Sequence, residues 1–86
     1  MTSRLPAFRV ADVLAAAGHT DATRGLSWRP GFRATQASPR TVRIWHDGQS
    51  EAQHLARYVA TLRPLGYYVT AERPAGLRPR IRVTHP

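Results

Sequence analysis

Four short stretches of this chain alternate apolar and polar residues, and this alternation constrains the fold more than any other feature. The stretches cover residues 31–36, 41–47, 67–73 and 80–84. A period of two predicts β-strands that are buried on one face only. Ser38-Pro39 is typical of a turn within the first pair, and Pro74-Ala75-Gly76 of a turn within the second pair. The sequence therefore predicts two hairpins.

A first helix is predicted from about residue 6 to residue 17. Apolar residues recur there at i, i+3, i+4 and i+7, Pro6 suits the first turn, and Gly18 suits the position after the last turn. Leu5 and Phe8 do not lie on this apolar stripe. Either the helix begins later than Pro6, or these two side chains contact a partner or a loop.

A second helix is predicted to begin near Ser50, which has capping-box spacing with Gln53, and to end before Pro64 and Gly66. Its predicted buried stripe consists of Ala52, Leu55, Val59 and Leu62. The stripe indicates a helix that packs on the sheet rather than one that enters a nucleic-acid groove.

The order helix, hairpin, helix, hairpin predicts one small α+β domain over residues 1–86, with a four-stranded, mostly antiparallel sheet and both helices on one face. Cysteine is absent, which excludes disulfides and thiolate ligands. No apolar run approaches the length of a membrane span, and the first ten residues lack a signal-peptide core. We therefore expect a cytoplasmic protein without a membrane partner.

Residues 11–24 are similar to the first helix and turn of repressor-type helix-turn-helix domains, with Gly18 in the turn and Thr20 as a possible cap. A recognition helix would then have to continue through Gly25 and Pro30, which oppose helix formation. A helix followed by a loop is the favoured interpretation of this segment.

The alternation also sorts the strand residues into two faces. The first set is apolar and is expected beneath the helices: Phe32, Ala34, Val42, Ile44, Tyr67, Val69, Ala71, Ile81 and Val83. The second set is polar and is expected to be open: Arg33, Thr35, Thr41, Arg43, Trp45, Tyr68, Thr70, Glu72, Arg80, Arg82 and Thr84. Arg78, Arg80 and Arg82 recur at every second residue, at intervals of about 7 Å if the strand is extended.

Composition suggests a partner for this open face. All 13 basic side chains are arginine and only five carboxylates oppose them, which gives a formal net charge of +8. Such a charge attracts polyanions, and arginine binds phosphate and stacks on flat rings. The preference for arginine over lysine has a second explanation in a GC-rich genome, whereas the charge itself is a physical property under both.

Arginine with interleaved aromatic rings is the chemistry that binds single-stranded nucleic acid, because cations bind phosphates and each ring stacks a base for ~1–3 kcal/mol. The predicted function is non-catalytic binding of DNA or RNA. The predicted contact residues are Arg33, Arg43, Trp45, Tyr68, Arg78, Arg80 and Arg82. Two alternatives stay open: an ordinary solvated face on which Trp45 and Tyr68 pack across strands, and a protein-interaction module that binds an acidic partner or a second copy of the chain.

Catalysis is not expected, and neither a metal nor a cofactor is. No metalloprotease, phosphate-loop or nucleophile-elbow motif occurs. His46 and Asp47 are strand neighbours, so their side chains should diverge. Asp12 is expected to pair with Arg9 at i, i+3 on the surface. The histidines at 19, 46, 54 and 85 are expected on the surface or at an edge, and an arginine-rich nuclease using His46 or His54 as its base is a minor alternative.

A resemblance extends over roughly the last two thirds of the chain. Gly31-Phe32, the strand at 41–46, the helix through 56–58 that leads to Gly66-Tyr67, and the closing 82–84 resemble small uncharacterised proteins of actinobacterial chromosomes, phages and integrative elements. The resemblance implies an accessory or regulatory role, and it assigns no function to any residue.

Overall fold

The computed structural model of the chain describes residues 4–85 and confirms the predicted α+β class and element order. The elements are α1 (Ala7–Ala16), β1 (Gly31–Ser38), β2 (Thr41–Asp47), α2 (Glu51–Leu62), a short 3-10 turn (Arg63–Leu65), β3 (Tyr68–Glu72) and β4 (Arg80–Thr84). Residues 1–3 and 86 of the predicted domain lie outside the described residues.

The four strands form one antiparallel sheet in the order β1-β2-β4-β3. The β1–β2 hairpin turns after Ser38, as predicted, with a register shift between Gln36 and Ser38. The β3–β4 connection contains the predicted turn, in which the Leu77 N–H donates to the Pro74 carbonyl at 3.1 Å. The two hairpins meet at β2 and β4, where Val42 lies opposite Val83 and Ile44 opposite Ile81.

Both helices lie on one face of this sheet, and most of the predicted apolar strand residues form the core beneath them, whereas Ala71 is exposed. Phe32, Val42, Ile44, Ile81 and Val83 are almost fully buried. Helix α2 lies over β2 and also contacts β3 and β4, whereas α1 packs on β1 and α2 and covers the sheet only loosely. The alternation places the opposite residues of the same strands on the uncovered face.

Leu5 and Phe8, the two residues off the α1 stripe, have different environments. Leu5 precedes the helix and is fully buried in the core, and its peptide N–H donates to the Pro39 carbonyl at 2.9 Å. Phe8 lies on the outer side of α1 and is 67% exposed. Helix α1 begins at Ala7, close to the prediction, so the core takes Leu5 from the segment before it.

Two details of the α2 prediction are wrong. Ser50 has φ 58° and ψ 45°, and its side chain makes no capping hydrogen bond. A capping residue needs extended backbone geometry, so the capping box does not form from this left-handed conformation. The buried stripe is also rotated: it consists of Leu55, Tyr58 and Leu62, while Ala52 is exposed and Val59 half-buried.

The segment between α1 and β1 is a loop, as the favoured interpretation predicted, and residues 17–30 contain no second helix. The loop is held against β1 by two hydrogen bonds: the Phe32 N–H donates to the Thr20 carbonyl at 2.8 Å, and the Ala22 N–H donates to the Phe32 carbonyl at 2.9 Å. Ala22 is buried as a result. A recognition helix is therefore not available to this chain.

Candidate nucleic-acid interface

The uncovered face of the sheet brings four of the predicted arginines into neighbouring rows. In the central row, Arg43 of β2 lies directly opposite Arg82 of β4, with Thr35 and Thr70 as outer neighbours. In the adjacent row, Arg33 lies opposite Trp45, and Arg80 lies opposite Glu72. We call the surface formed by these two rows the open face.

The Arg43–Arg82 pair is the least compensated part of the open face. Like charges directly opposite each other on one sheet face destabilise the pairing. No carboxylate of the described residues forms a salt bridge with Arg82. The Nε atom of Arg43 is buried and has no hydrogen-bond partner among the described residues. The nearest carboxylate oxygen in an ion pair with it, Glu72 Oε1, is 3.9 Å away, which is too far for a hydrogen bond. An anion placed between these guanidinium groups would relieve their repulsion.

Trp45 is a support for two of the arginines. The guanidinium carbon of Arg33 lies 4.9 Å from the Trp45 ring centroid, and that of Arg80 lies 5.9 Å from it. Both distances are within the range of cation–π attraction. Trp45 is half-buried. A base at this ring competes with the two guanidinium groups, and the stacking role predicted for Trp45 stays a prediction.

Two carboxylates hold the same arginines by ion pairs. Arg80 Nε donates to Glu72 Oε1 at 2.8 Å, and Arg33 Nε donates to Asp47 Oδ2 at 3.1 Å. The hydrogen bond from Arg80 lowers the pKa of Glu72. Burial opposes ionisation of Asp47, but the hydrogen bonds from Arg78 and Arg33 outweigh it and lower the pKa of that carboxyl. Both groups are therefore carboxylates at neutral pH, and a bound polyanion competes with them.

Tyr68 supplies an accessible ring. It is 63% exposed and lies opposite Thr84 at the end of β3. Because β4 separates β3 from β2, Tyr68 and Trp45 are not cross-strand partners, and the alternative in which they pack on each other is wrong.

Arg78 departs from the predicted row of alternate arginines. It lies before β4, which begins at Arg80. Its guanidinium donates to Glu51 Oε2 at 2.7 Å, to Asp47 Oδ1 at 3.0 Å and to the His46 carbonyl. The hydrogen bonds from Arg78 to Glu51 and then Asp47 raise the pKa of the guanidinium. Arg78 therefore ties the end of β2 to the start of α2 at the border of the open face, and does not continue its row.

No protein-family model, curated protein or solved structure matches this chain. Within residues 4–85, no helix has the length and apolarity needed to cross a membrane. The same residues contain no group of three or more His, Asp or Glu side chains arranged to hold a metal ion. Any functional interpretation therefore depends on the geometry of the chain itself.

The histidines are the part of the structure that sequence reasoning missed. His46 was expected at the surface and is only 2% exposed, because it continues the buried series of Val42 and Ile44 along β2. The alternation of buried and open positions along β2 could have predicted the burial of His46 from the sequence. The expected divergence of His46 and Asp47 is confirmed, since Asp47 binds Arg33 on the open face. The Asp12–Arg9 pair is not formed, and Asp12 accepts instead from Arg24 at 2.8 Å.

His46 is fixed by two aromatic neighbours from α2. Its Nδ1 lies 2.7 Å from the Tyr58 hydroxyl, and its ring stacks on His54 with centroids 3.9 Å apart. Burial raises the pKa of Tyr58 to about 12, so the hydroxyl keeps its proton at neutral pH. Burial first, and then the neighbouring His54, lower the pKa of His46. Burial likewise lowers the pKa of His19, whose Nε2 lies 2.8 Å from Thr61 Oγ1.

Because of these histidines, we expect the folded protein to lose stability at pH values above the range in which carboxylates titrate. A histidine whose pKa is lower in the folded state binds its proton more readily in the unfolded state. Its stabilising contribution is therefore complete above pH 6.5, the ordinary pKa of histidine, and is lost as the pH falls through the pKa of the folded state. Asp47 and Glu72 stay mostly ionised in both states down to about pH 5, because their ordinary pKa values are 3.8 and 4.5. We expect the urea midpoint to fall between about pH 7 and pH 5.

The test variant is His46→Gln, which removes the buried imidazole. The control variant is His85→Gln, near the end of the chain. The fall in midpoint should be smaller for His46→Gln and unchanged for His85→Gln. An equal pH dependence in all three proteins would show that His46 does not contribute.

Proposed function

We propose that the chain is a non-catalytic nucleic-acid-binding protein whose open face binds the phosphates of single-stranded DNA or RNA. The observation that supports this proposal best is the Arg43–Arg82 pair, in which Arg82 has no carboxylate partner among the described residues and Arg43 has only a long ion pair with Glu72. Four arginines against two carboxylates leave this face positive, and a chain of phosphates supplies the counter-charge.

Each residue has a distinct role in the proposal. Arg82 and Arg43 bind phosphate directly. Arg33 and Arg80 bind phosphate once it replaces their carboxylate partners. Tyr68 stacks a base at the β3 side of the face, where a stacked base contributes about 1–3 kcal/mol. Trp45 positions Arg33 and Arg80, and Arg78 fixes the border of the face through Asp47.

The test is fluorescence anisotropy with labelled single-stranded and double-stranded DNA and RNA over a series of salt concentrations. The logarithm of the affinity should fall linearly with the logarithm of the salt concentration, with a slope of about −2 to −3 if three or four phosphates of a single strand are contacted. A preference for duplex, or binding only at very low salt, would overturn the proposed interface.

Glu72 gives a prediction of opposite sign to that of an ordinary binding residue. Its carboxylate occupies Arg80 and lies near Arg43. Glu72→Gln should release one cation for the phosphates and strengthen single-strand binding about fivefold at about 0.1 M salt. Asp12→Asn removes the same charge from α1, where Asp12 pairs with Arg24, and should change the affinity much less. Weaker binding by Glu72→Gln would show that the strand does not compete for Arg80.

A protein-interaction or self-assembly module is the second candidate, and the exposed ring of Phe8 favours it. Phe8 is 67% exposed on α1, although neighbouring α1 residues pack into the core. The partner would be a second copy of the chain or an acidic protein. Sedimentation velocity over a wide concentration range tests the first of these: a dimer that Phe8→Ser dissociates supports it, and a monomer throughout excludes self-assembly through Phe8.

A further inference from the structure

A cleft of about 720 Å³ opens on the helix side of the sheet, away from the open face. Its walls are the loop before β1, the end of β2 and the first turns of α2. Strand β2 shows on which side of the sheet the cleft lies. His46 lines the cleft, whereas its neighbours Trp45 and Asp47 point to the open face. A cleft of this size is typical of small-molecule sites.

The cleft is lined by groups that bind anions. Three imidazoles and one guanidinium contribute to it, from His19, His46, His54 and Arg57, and none of its lining residues within the described chain is a carboxylate. Within residues 4–85, each Asp and Glu side chain pairs with an arginine that does not line the cleft. An anion in this cleft therefore touches no carboxylate, although Asp47 and Glu51 act electrostatically on His46.

Two of these groups are free to bind a ligand. His54 and Arg57 lie three positions apart on α2, so they lie on the same side of the helix. Neither side chain forms a hydrogen bond or ion pair within the described residues, whereas His46 and His19 are held by Tyr58 and Thr61. The stacking of His54 on His46, with an interplanar angle of 2°, fixes the ring without using its nitrogens.

The rim of the cleft adds a flat aromatic surface. Trp28 lines the cleft and is 62% exposed, so much of its indole is accessible. A heterocycle stacked on an indole, with its phosphate at Arg57 and His54, would use both kinds of surface. Neither inorganic phosphate nor an uncharged ring alone would do so.

We propose that this cleft binds a nucleotide, with the phosphate held by Arg57 and His54 and the base stacked on Trp28. The nucleotide is either free or the 5′-phosphorylated end of a strand, since both present the same chemistry. The site does not depend on the open face, which lies on the other side of the sheet.

Isothermal titration calorimetry with adenosine 5′-monophosphate, adenosine and inorganic phosphate tests the site. It should be done in the Arg80→Ala/Arg82→Ala background, so that open-face binding contributes less. We expect adenosine 5′-monophosphate to bind at least about tenfold more tightly than either fragment. Arg57→Gln should weaken its binding at least about tenfold through the lost charge-assisted hydrogen bonds, and Trp28→Ala should reduce the difference between nucleotide and phosphate.

The matched control is Arg9→Gln, which removes the same charge from α1 outside the cleft. Equal losses for Arg57→Gln and Arg9→Gln, or equal affinities for nucleotide and inorganic phosphate, would overturn the proposal. A 5′-phosphorylated trinucleotide distinguishes the two sources: tighter binding than the mononucleotide identifies a strand end, and equal or weaker binding identifies a free nucleotide. Because the background already lacks Arg80 and Arg82, failure here leaves the open-face proposal unaffected.

Discussion

Replacement of Arg80 and Arg82 together by alanine is expected to weaken single-strand binding about 25-fold at about 0.1 M salt, because each phosphate contact contributes a slope of about 0.7 in the logarithm of salt concentration. The slope itself should become less steep by about 1.4. Arg82 has no carboxylate partner among the described residues, so its loss removes only attraction. Loss of Arg80 also leaves the Glu72 carboxylate facing the strand. Anisotropy titrations over the salt series measure both effects.

The control for this pair is Arg9→Ala/Arg40→Ala, which lowers the net charge equally at α1 and at the β1–β2 turn. Neither residue lies within a strand. The control variant should lose a few-fold in affinity and keep its salt slope. If the two double variants behave alike, the binding reflects net charge and the open face has no special role. Circular dichroism on both variants checks that the sheet is intact.

The largest expected effect on stability is that of Gly31→Ala. A Cβ atom at this position would lie 2.2 Å from the Thr20 carbonyl oxygen and 2.8 Å from its carbon. Both are backbone atoms, so relief requires that the loop move away from β1 and give up its hydrogen bonds to Phe32. We expect a loss of about 3 kcal/mol from overpacking and broken hydrogen bonds. For a domain of this length, this corresponds to a decrease in Tm of about 12–24 °C.

Gly66→Ala provides the comparison, because Gly66 has a positive φ of 96° and open space where its Cβ would lie. Its cost is the backbone strain alone, about 1–2 kcal/mol. Thermal unfolding of the two variants should therefore differ clearly, with Gly31→Ala the less stable. Similar values of Tm would mean that the loop yields at little cost and does not form a fixed wall of the cleft.

The strands and their two faces were predictable from the sequence because each rule involved is local. Residue parity alone assigned Ile44 and Val83 to the core and Arg43 and Arg82 to the open face. Turn chemistry at Ser38-Pro39 and Pro74-Ala75-Gly76 then required antiparallel hairpins. The contact of β2 with β4 was not predicted, because the same two hairpins could also join through other strands.

The ion pairs and the histidine cleft were not predictable, because they join residues that are distant in the sequence. Arg78 lies 31 residues from Asp47 and 27 from Glu51, and only the folded chain brings them together. The rotation of the α2 stripe toward Tyr58 depends on its contact with His46, 12 residues away. The capping box failed for a local reason of another kind, since the sequence spacing does not report the left-handed backbone of Ser50.

Adjacent residues of β2 belong to different surfaces: Trp45 supports the arginines of the open face, and His46 lies in the wall of the cleft. This separation makes the domain a scaffold for engineering. A combinatorial library at alternate positions of β2 and β4 would vary one surface while the intervening residues keep the hydrophobic core unchanged. New ligand specificity could then be selected on the sheet without redesign of the fold that presents it.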